Sequence, residues 1–135
     1  MNEYKMPKIF KWQQASQKIV KKYVASLYQD STTAPVATVL YNDSDVTFSY
    51  EYVSPGVYAV IANKPIFTGS NAEKTQASIS NATYIDDITG PAGASITIFP
   101  VWFDVMIILT SDLTAETDGI LGQNTQNAIE VTFYN

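Results

Sequence analysis

Residues 46–62 read VTFSYEYVSPGVYAVIA, and this stretch restricts the fold more than any other in the chain. Val46, Phe48, Tyr50 and Tyr52 alternate with Thr47, Ser49 and Glu51, the period of two that a half-buried strand requires. Ser54–Pro55–Gly56 follows as a tight turn: Pro55 pre-sets its own φ, and Gly56 can take the positive φ that a type II turn needs. Val57–Ala62 then returns as the second arm of a hairpin.

Strand signals dominate the rest of the chain as well. Val36–Asn42 is short and β-branched, between the turn-rich loop Asp30–Pro35 and the turn Asp43–Asp45. A brief strand is expected around Ile66 and Phe67, and another over Ala77–Ile88, before the turn Thr89–Ala94. Ser95–Asp112 is long and apolar but contains Pro100, which cannot donate a ladder hydrogen bond. It therefore predicts two strands or one bent strand, with Pro100 at an edge, a bulge or a break. Leu113–Gln126 reads as a loop with a turn at Asp118–Gly119. Asn127–Asn135 is the last strand, tied into a sheet, with Ile129, Val131 and Phe133 on its core face. Lys18–Gln29 stays open. Ile19, Val20, Tyr23, Val24 and Leu27 form a helical stripe, which periodicity favours, yet Tyr23, Ala25 and Leu27 against Val24, Ser26 and Tyr28 form two strand faces. About eight short antiparallel strands between turn clusters predict an all-β protein. The expected architecture is a single β-sandwich, Ig-like or jelly-roll-like, over residues 18–135, preceded by an extended N-terminal arm over residues 1–17.

What the chain lacks narrows its chemistry. There is no cysteine and no histidine, which removes disulfides, thiolate metal sites and the commonest general base. All eight basic residues are lysine. Arginine's planar fork is the usual reader of guanine, so no nucleic-acid partner is expected. The longest apolar run, Phe99–Leu109, falls short of the ~20 residues that span a bilayer, and no apolar run follows the first lysines. Neither a membrane partner nor a secretory signal peptide is expected.

The charge is divided. Residues 1–22 hold six lysines and Glu3, a balance of 6 − 1 = +5, whereas residues 23–135 hold Lys64 and Lys74 against twelve acids, 2 − 12 = −10. A positive arm on a negative body can attach head to tail to an identical copy or to another acidic protein; the lysines equally suit a solubilised chain end. Pro7 breaks any early helix. Ile9, Phe10 and Trp12 form an apolar group that docks on a partner or folds back on its own domain. The candidate docking residues are Lys5, Lys8, Ile9, Phe10, Lys11 and Trp12.

No catalytic residue emerges. Asp43/Asp45 and Asp86/Asp87 are paired acids, but the first pair sits in a turn, where Asp is favoured for hydrogen bonds to its own backbone. The EF-hand spacing of calcium sites is missing around Asp43 and Asp45, so no metal is assigned. No G-x-S-x-G and no phosphate loop occurs. The triplets Asn42–Ser44 and Asn81–Thr83 match the glycosylation pattern, which means little without a secretion signal. Neither an enzymatic activity nor a cofactor is expected. Tyr50, Tyr52 and Tyr58 fill the inner face of the hairpin or a subunit interface, or form a ligand platform.

Three stretches carry a family resemblance: KKYVASLYQDSTTAPVATVLYN (21–42), SYEYVSPGVYAV (49–60) and IEVTFYN (129–135). They resemble small virion-associated proteins and domains of tailed phages, including crAss-like phages, that infect Bacteroidetes. In that pattern a Y-x-A-x-L-x-Q strand leads through a loop into A-P-V-A-T-V-L, a hairpin returns with G-x-Y, and the last strand resembles I-E-I-R-V-Y-N. The resemblance spans about residues 20–135, and APVATVL is its most specific part. Thr132 replaces the usual arginine, and Thr68–Pro91 and residues 1–17 follow no part of the pattern. The resemblance implies that Lys18–Gln29 is a strand and that the chain is a virion structural part of the head or tail, made in the bacterial host cytoplasm. The implied partners are capsid, portal or tail proteins and copies of the chain itself. An alternative is a receptor- or glycan-binding module at a fibre or tail tip, marked by a solvent-facing aromatic cluster near Asn63–Gln76.

Overall fold

The computed structural model describes residues 20–67, 74–83, 95–112, 115–122 and 125–134. They form eight strands: β1 (Val20–Tyr28), β2 (Val36–Asn42), β3 (Phe48–Ser54), β4 (Val57–Ala62), β5 (Thr75–Thr83), β6 (Ser95–Pro100), β7 (Val105–Ser111) and β8 (Thr125–Tyr134). Two four-stranded antiparallel sheets, ordered β2-β1-β8-β5 and β3-β4-β7-β6, pack into a sandwich. The docking residues proposed from sequence (Lys5, Lys8, Ile9, Phe10, Lys11, Trp12) lie outside the described residues, as do Asp86 and Asp87.

The β3–β4 hairpin follows its sequence closely. Phe48, Tyr50 and Tyr52 are half-buried, while Ser49 and Glu51 are exposed. The register runs Phe48–Ala62 to Tyr52–Tyr58 and then jumps to Ser54–Val57, so Val53 is an extra residue that tightens the twist before the turn. Gly56 has φ +72°, and its carbonyl accepts a bond from Thr110 N–H at 2.8 Å.

Lys18–Gln29 settles as a strand over Val20–Tyr28, against its helical stripe. Pairing decides it: β1 bonds to β2 on one side and β8 on the other, and a ladder on both edges outweighs a weak local period. The brief strand expected at Ile66–Phe67 does not form. Both N–H groups bond instead to the Phe103 carbonyl, at 2.8 and 2.9 Å, and Ile66 is buried as a plug at that end of the sandwich. Ser95–Asp112 divides into β6 and β7, with Pro100 closing β6 on the sheet edge, where a missing N–H costs least.

The core lies between the sheets. Tyr23, Ala25 and Leu27 of β1 and Ile129 and Val131 of β8 meet Tyr58 and Val60 of β4 and Met106 and Ile108 of β7. Burying each large side chain here stabilises by about 1.5–3 kcal/mol before chain entropy is counted. Tyr23 and Tyr50 join the sheets by a 2.9 Å hydroxyl–hydroxyl bond, and Tyr23 also stacks at a tilt on Phe48 at 4.6 Å. Phe133 bridges this core to a smaller cluster of Val46, Ala62 and Ile66 at the end where β1 begins.

Candidate interaction surfaces

The chemistry-bearing side chains collect at the two ends of the sandwich. At the end where β1 finishes, Gln29 is fully buried and uses its whole amide. Its Nε2 donates to the carbonyls of Ser31 (2.6 Å) and Thr33 (3.1 Å). Its Oε1 accepts from the Tyr58 hydroxyl and the Gly119 N–H, both at 2.8 Å. The Tyr58 hydroxyl also lies 2.7 Å from Asp118 Oδ1, so its single proton serves one acceptor at a time. Asp118 accepts further bonds from Gly56 N–H (2.8 Å) and Tyr52 (2.9 Å). The network holds the 115–122 loop down while Ile120 and Leu121 enter the interior.

Electrostatics keep Tyr58 neutral and Asp118 charged in this network, the forms in which they bond to each other. Burial pushes the Tyr58 hydroxyl well above its ordinary value, and the bond to Asp118 pushes it further. Burial raises the Asp118 carboxyl too, but the bonds from Gly56, Tyr58 and Tyr52 together outweigh it and hold the group below the usual carboxylate value. The shift of Asp118 has a stability consequence. A carboxyl depressed on folding stabilises the protein above its unfolded pKa of about 4, and that share is lost as pH falls through the lower folded value. Asp118→Asn is therefore expected to flatten the loss of stability between pH 5 and pH 2, read as urea midpoints across that range.

The acid pair Asp43/Asp45 is divided between separate partners. Asp43 accepts from Lys22 N–H at 2.7 Å and from Tyr41 at 3.0 Å; Asp45 pairs with Lys64. The Lys22 N–H is the main cause of the low Asp43 value, and the Lys64 bond that of Asp45. Among the described residues no group of three or more acidic side chains is placed to hold a metal ion. Tyr58 lies wholly inside, and Tyr50 and Tyr52 pack against the core, so the hairpin tyrosines line its inner face.

At the opposite end, the β6–β7 turn presents aromatic surface. Trp102 is 74% exposed and Phe103 65%. The backbone beneath them is pinned. Val101 and Trp102 N–H bond to the Val105 carbonyl, Ile66 and Phe67 N–H to that of Phe103, and Ala62 N–H to that of Asp104. A fixed backbone under open aromatic rings offers large contact area at little entropic cost. Beside it, Lys21, Lys64 and Lys74 rim a cleft of about 180 Å³ that is also lined by Val46, Ile66 and Phe133. Both lysines found after residue 22 thus sit at the end from which the lysine-rich residues 1–19 leave β1.

The edge strand β2 is a further open surface. Val36 and Leu40 are 63% and 62% exposed, Val39 and Tyr41 more than half, and no charged residue lies within the strand. Such an edge is a template for another strand, blunted among the described residues by the register shift opposite Val24 and Ala25. Sequence reading missed both Gln29 and Asp118, because their partners lie as far as 90 residues away. It also missed the exposure of Trp102, since an apolar run reads as core. The one available hint was Asp104 and Pro100 flanking the turn. Compared with protein-family models, curated proteins and solved structures, the chain matches none.

Proposed function

We propose that the chain is a structural component of a tailed-phage virion, a capsid auxiliary, head-fibre or tail part that acts by docking onto neighbouring subunits. The observation that carries the contact mechanism is the pinned β6–β7 turn, whose two aromatic rings face solvent on a backbone held by five hydrogen bonds. The phage assignment rests on the resemblance through APVATVL and the final strand. Burial of such apolar surface drives association at ~25 cal/mol per Å², less the cost of lost freedom on docking. Residues 1–17, with Lys5, Lys8, Ile9, Phe10, Lys11 and Trp12, are the arm that fixes the partner on an acidic shell.

A second reading has its own support. Trp102 and Phe103 stand beside Asn63–Phe67, where a glycan-binding tip would carry its aromatic platform. Deleting residues 1–17, and separately replacing Trp102 by alanine, distinguishes the two. Under the assembly reading, deletion abolishes incorporation into particles, and no glycan is bound by any form. Incorporation that survives the deletion, together with sugar binding that Trp102→Ala removes, overturns the assembly role in favour of the tip.

A further inference from the structure

Strands β4 and β7 are the central pair of the second sheet, and each is apolar almost without interruption, VYAVIA and VMIIL. Tyr58, Val60, Met106 and Ile108 point into the core, so their neighbours along each strand point out. The register sets those neighbours side by side as Val57–Leu109, Ala59–Ile107 and Ile61–Val105. Phe99 of β6 extends the group from across Ile107. A sheet with one face in water alternates apolar with polar, as β3 does; continuous apolar strands belong to sheets covered on both sides. The described strands make only two layers, so none of them covers this face.

We infer that the outer face of the β3-β4-β7-β6 sheet is covered by a second copy of the chain, packed sheet against sheet. The inference rests on the contact reading above and names a partner for it. Charge selects the occupant. Among the described residues, Glu51 is the one ionisable side chain on this face; hydroxyls of Ser49, Ser95, Thr97 and Ser111 surround the apolar group. A nearly neutral face is complementary to itself. The lysine-rich residues before Val20 would bring four lysines to a single carboxylate, and they leave from the other sheet. A two-fold axis parallel to the strands lays β3 over β6 of the second copy, and because Glu51, Ala59, Ile107 and Phe99 share one level, Glu51 at the rim meets Phe99 and not another Glu51. Four strands ~4.8 Å apart and about six residues long span roughly 19 by 20 Å, so two such faces present roughly 760 Å² in flat projection, and side-chain relief brings the buried area toward the ~1,000 Å² where specific interfaces begin.

Light scattering on the purified full chain is expected to give twice the 14.9 kDa chain mass. Ile107→Glu puts a charge from each copy at the centre of the face and is expected to halve that mass while leaving the far-ultraviolet circular dichroism unchanged. The chain has no cysteine, so Ile107→Cys gives an independent reading: a bis-maleimide long enough to cross the ~10 Å between packed sheets links two copies through this face, whereas Leu40→Cys on the β2 edge stays single. Deletion of residues 1–17 leaves the dimer intact. A single-chain mass for the unaltered protein, a dimer indifferent to Ile107→Glu, or a dimer lost only with residues 1–17 overturns the inference; in the last case the N-terminal segment is the occupant. If the chain still enters particles, those results leave the contact reading standing. A dimer that joins no particle sinks that reading and spares this one.

Discussion

Gln29→Leu is expected to remove about 2–4 kcal/mol of stability, a large share of the ~5–15 kcal/mol that holds a domain together. The substitution keeps nearly the same volume, so packing is not the cause. It leaves the carbonyls of Ser31 and Thr33 and the N–H of Gly119 without the partners they now have. An unsatisfied buried group costs ~1–3 kcal/mol, which applies to the Gly119 N–H; Ser31 and Thr33 are exposed residues whose carbonyls turn to water, so those two bonds add only about 1 kcal/mol or less each. Tyr58 retains Asp118 and is not orphaned. Gln29→Glu tests the same point with opposite chemistry: a carboxylate has no N–H for Ser31 and Thr33 and lies close to Asp118, so it is expected to destabilise at least as much at neutral pH. Urea unfolding followed by fluorescence measures both. A loss below ~1 kcal/mol for Gln29→Leu would show that the amide is not what ties the 115–122 loop to the end of β1.

The β3–β4 hairpin was legible because everything that makes it is local: a period of two, a proline and a glycine within a few residues. β8 was legible for a similar reason, since Ile129 and Val131 alternate with polar neighbours in a run long enough to be seen. β1 was legible in part: Tyr23, Ala25 and Leu27 against Val24, Ser26 and Tyr28 gave the strand faces that the structure has, but Val20, Tyr23, Val24 and Leu27 also meet a helical spacing, and its neighbours in space, β2 and β8, decide between the two. Ile66 and Phe67 have strand-forming side chains but serve Phe103 and the smaller core cluster instead. The surface was harder still. Exposure of Trp102 and Phe103 depends on where a turn falls, and the partnership of Gln29 with Gly119 depends on how eight strands are ordered. Apolar character tells which residues are costly in water; it does not tell whether the cover is the chain's own core or another subunit.

Gly56→Ala is the second substitution with a large expected effect, about 3–5 kcal/mol, and Gly119→Ala is its control. Both glycines have positive φ, +72° and +86°, which costs a residue with a Cβ roughly 1–2 kcal/mol. They differ in their surroundings. A Cβ at Gly56 would lie 2.3 Å from the Thr110 carbonyl oxygen and 2.5 Å from the Thr117 nitrogen, while one at Gly119 meets nothing within 4 Å. The atoms in the way are backbone and cannot swing aside. Relief would have to come from parting the β3–β4 turn from the 110–117 segment, which breaks the bonds from Thr110 N–H to Gly56 and from Gly56 N–H to Asp118. Gly119→Ala should therefore show the torsional cost alone, and Gly56→Ala that cost with lost packing and hydrogen bonds added. Equilibrium unfolding of the two variants side by side tests the argument. Equal losses would mean that the turn carries only its backbone torsion, and that the close approach of Gly56 to Thr110 contributes nothing to closing this end of the sandwich.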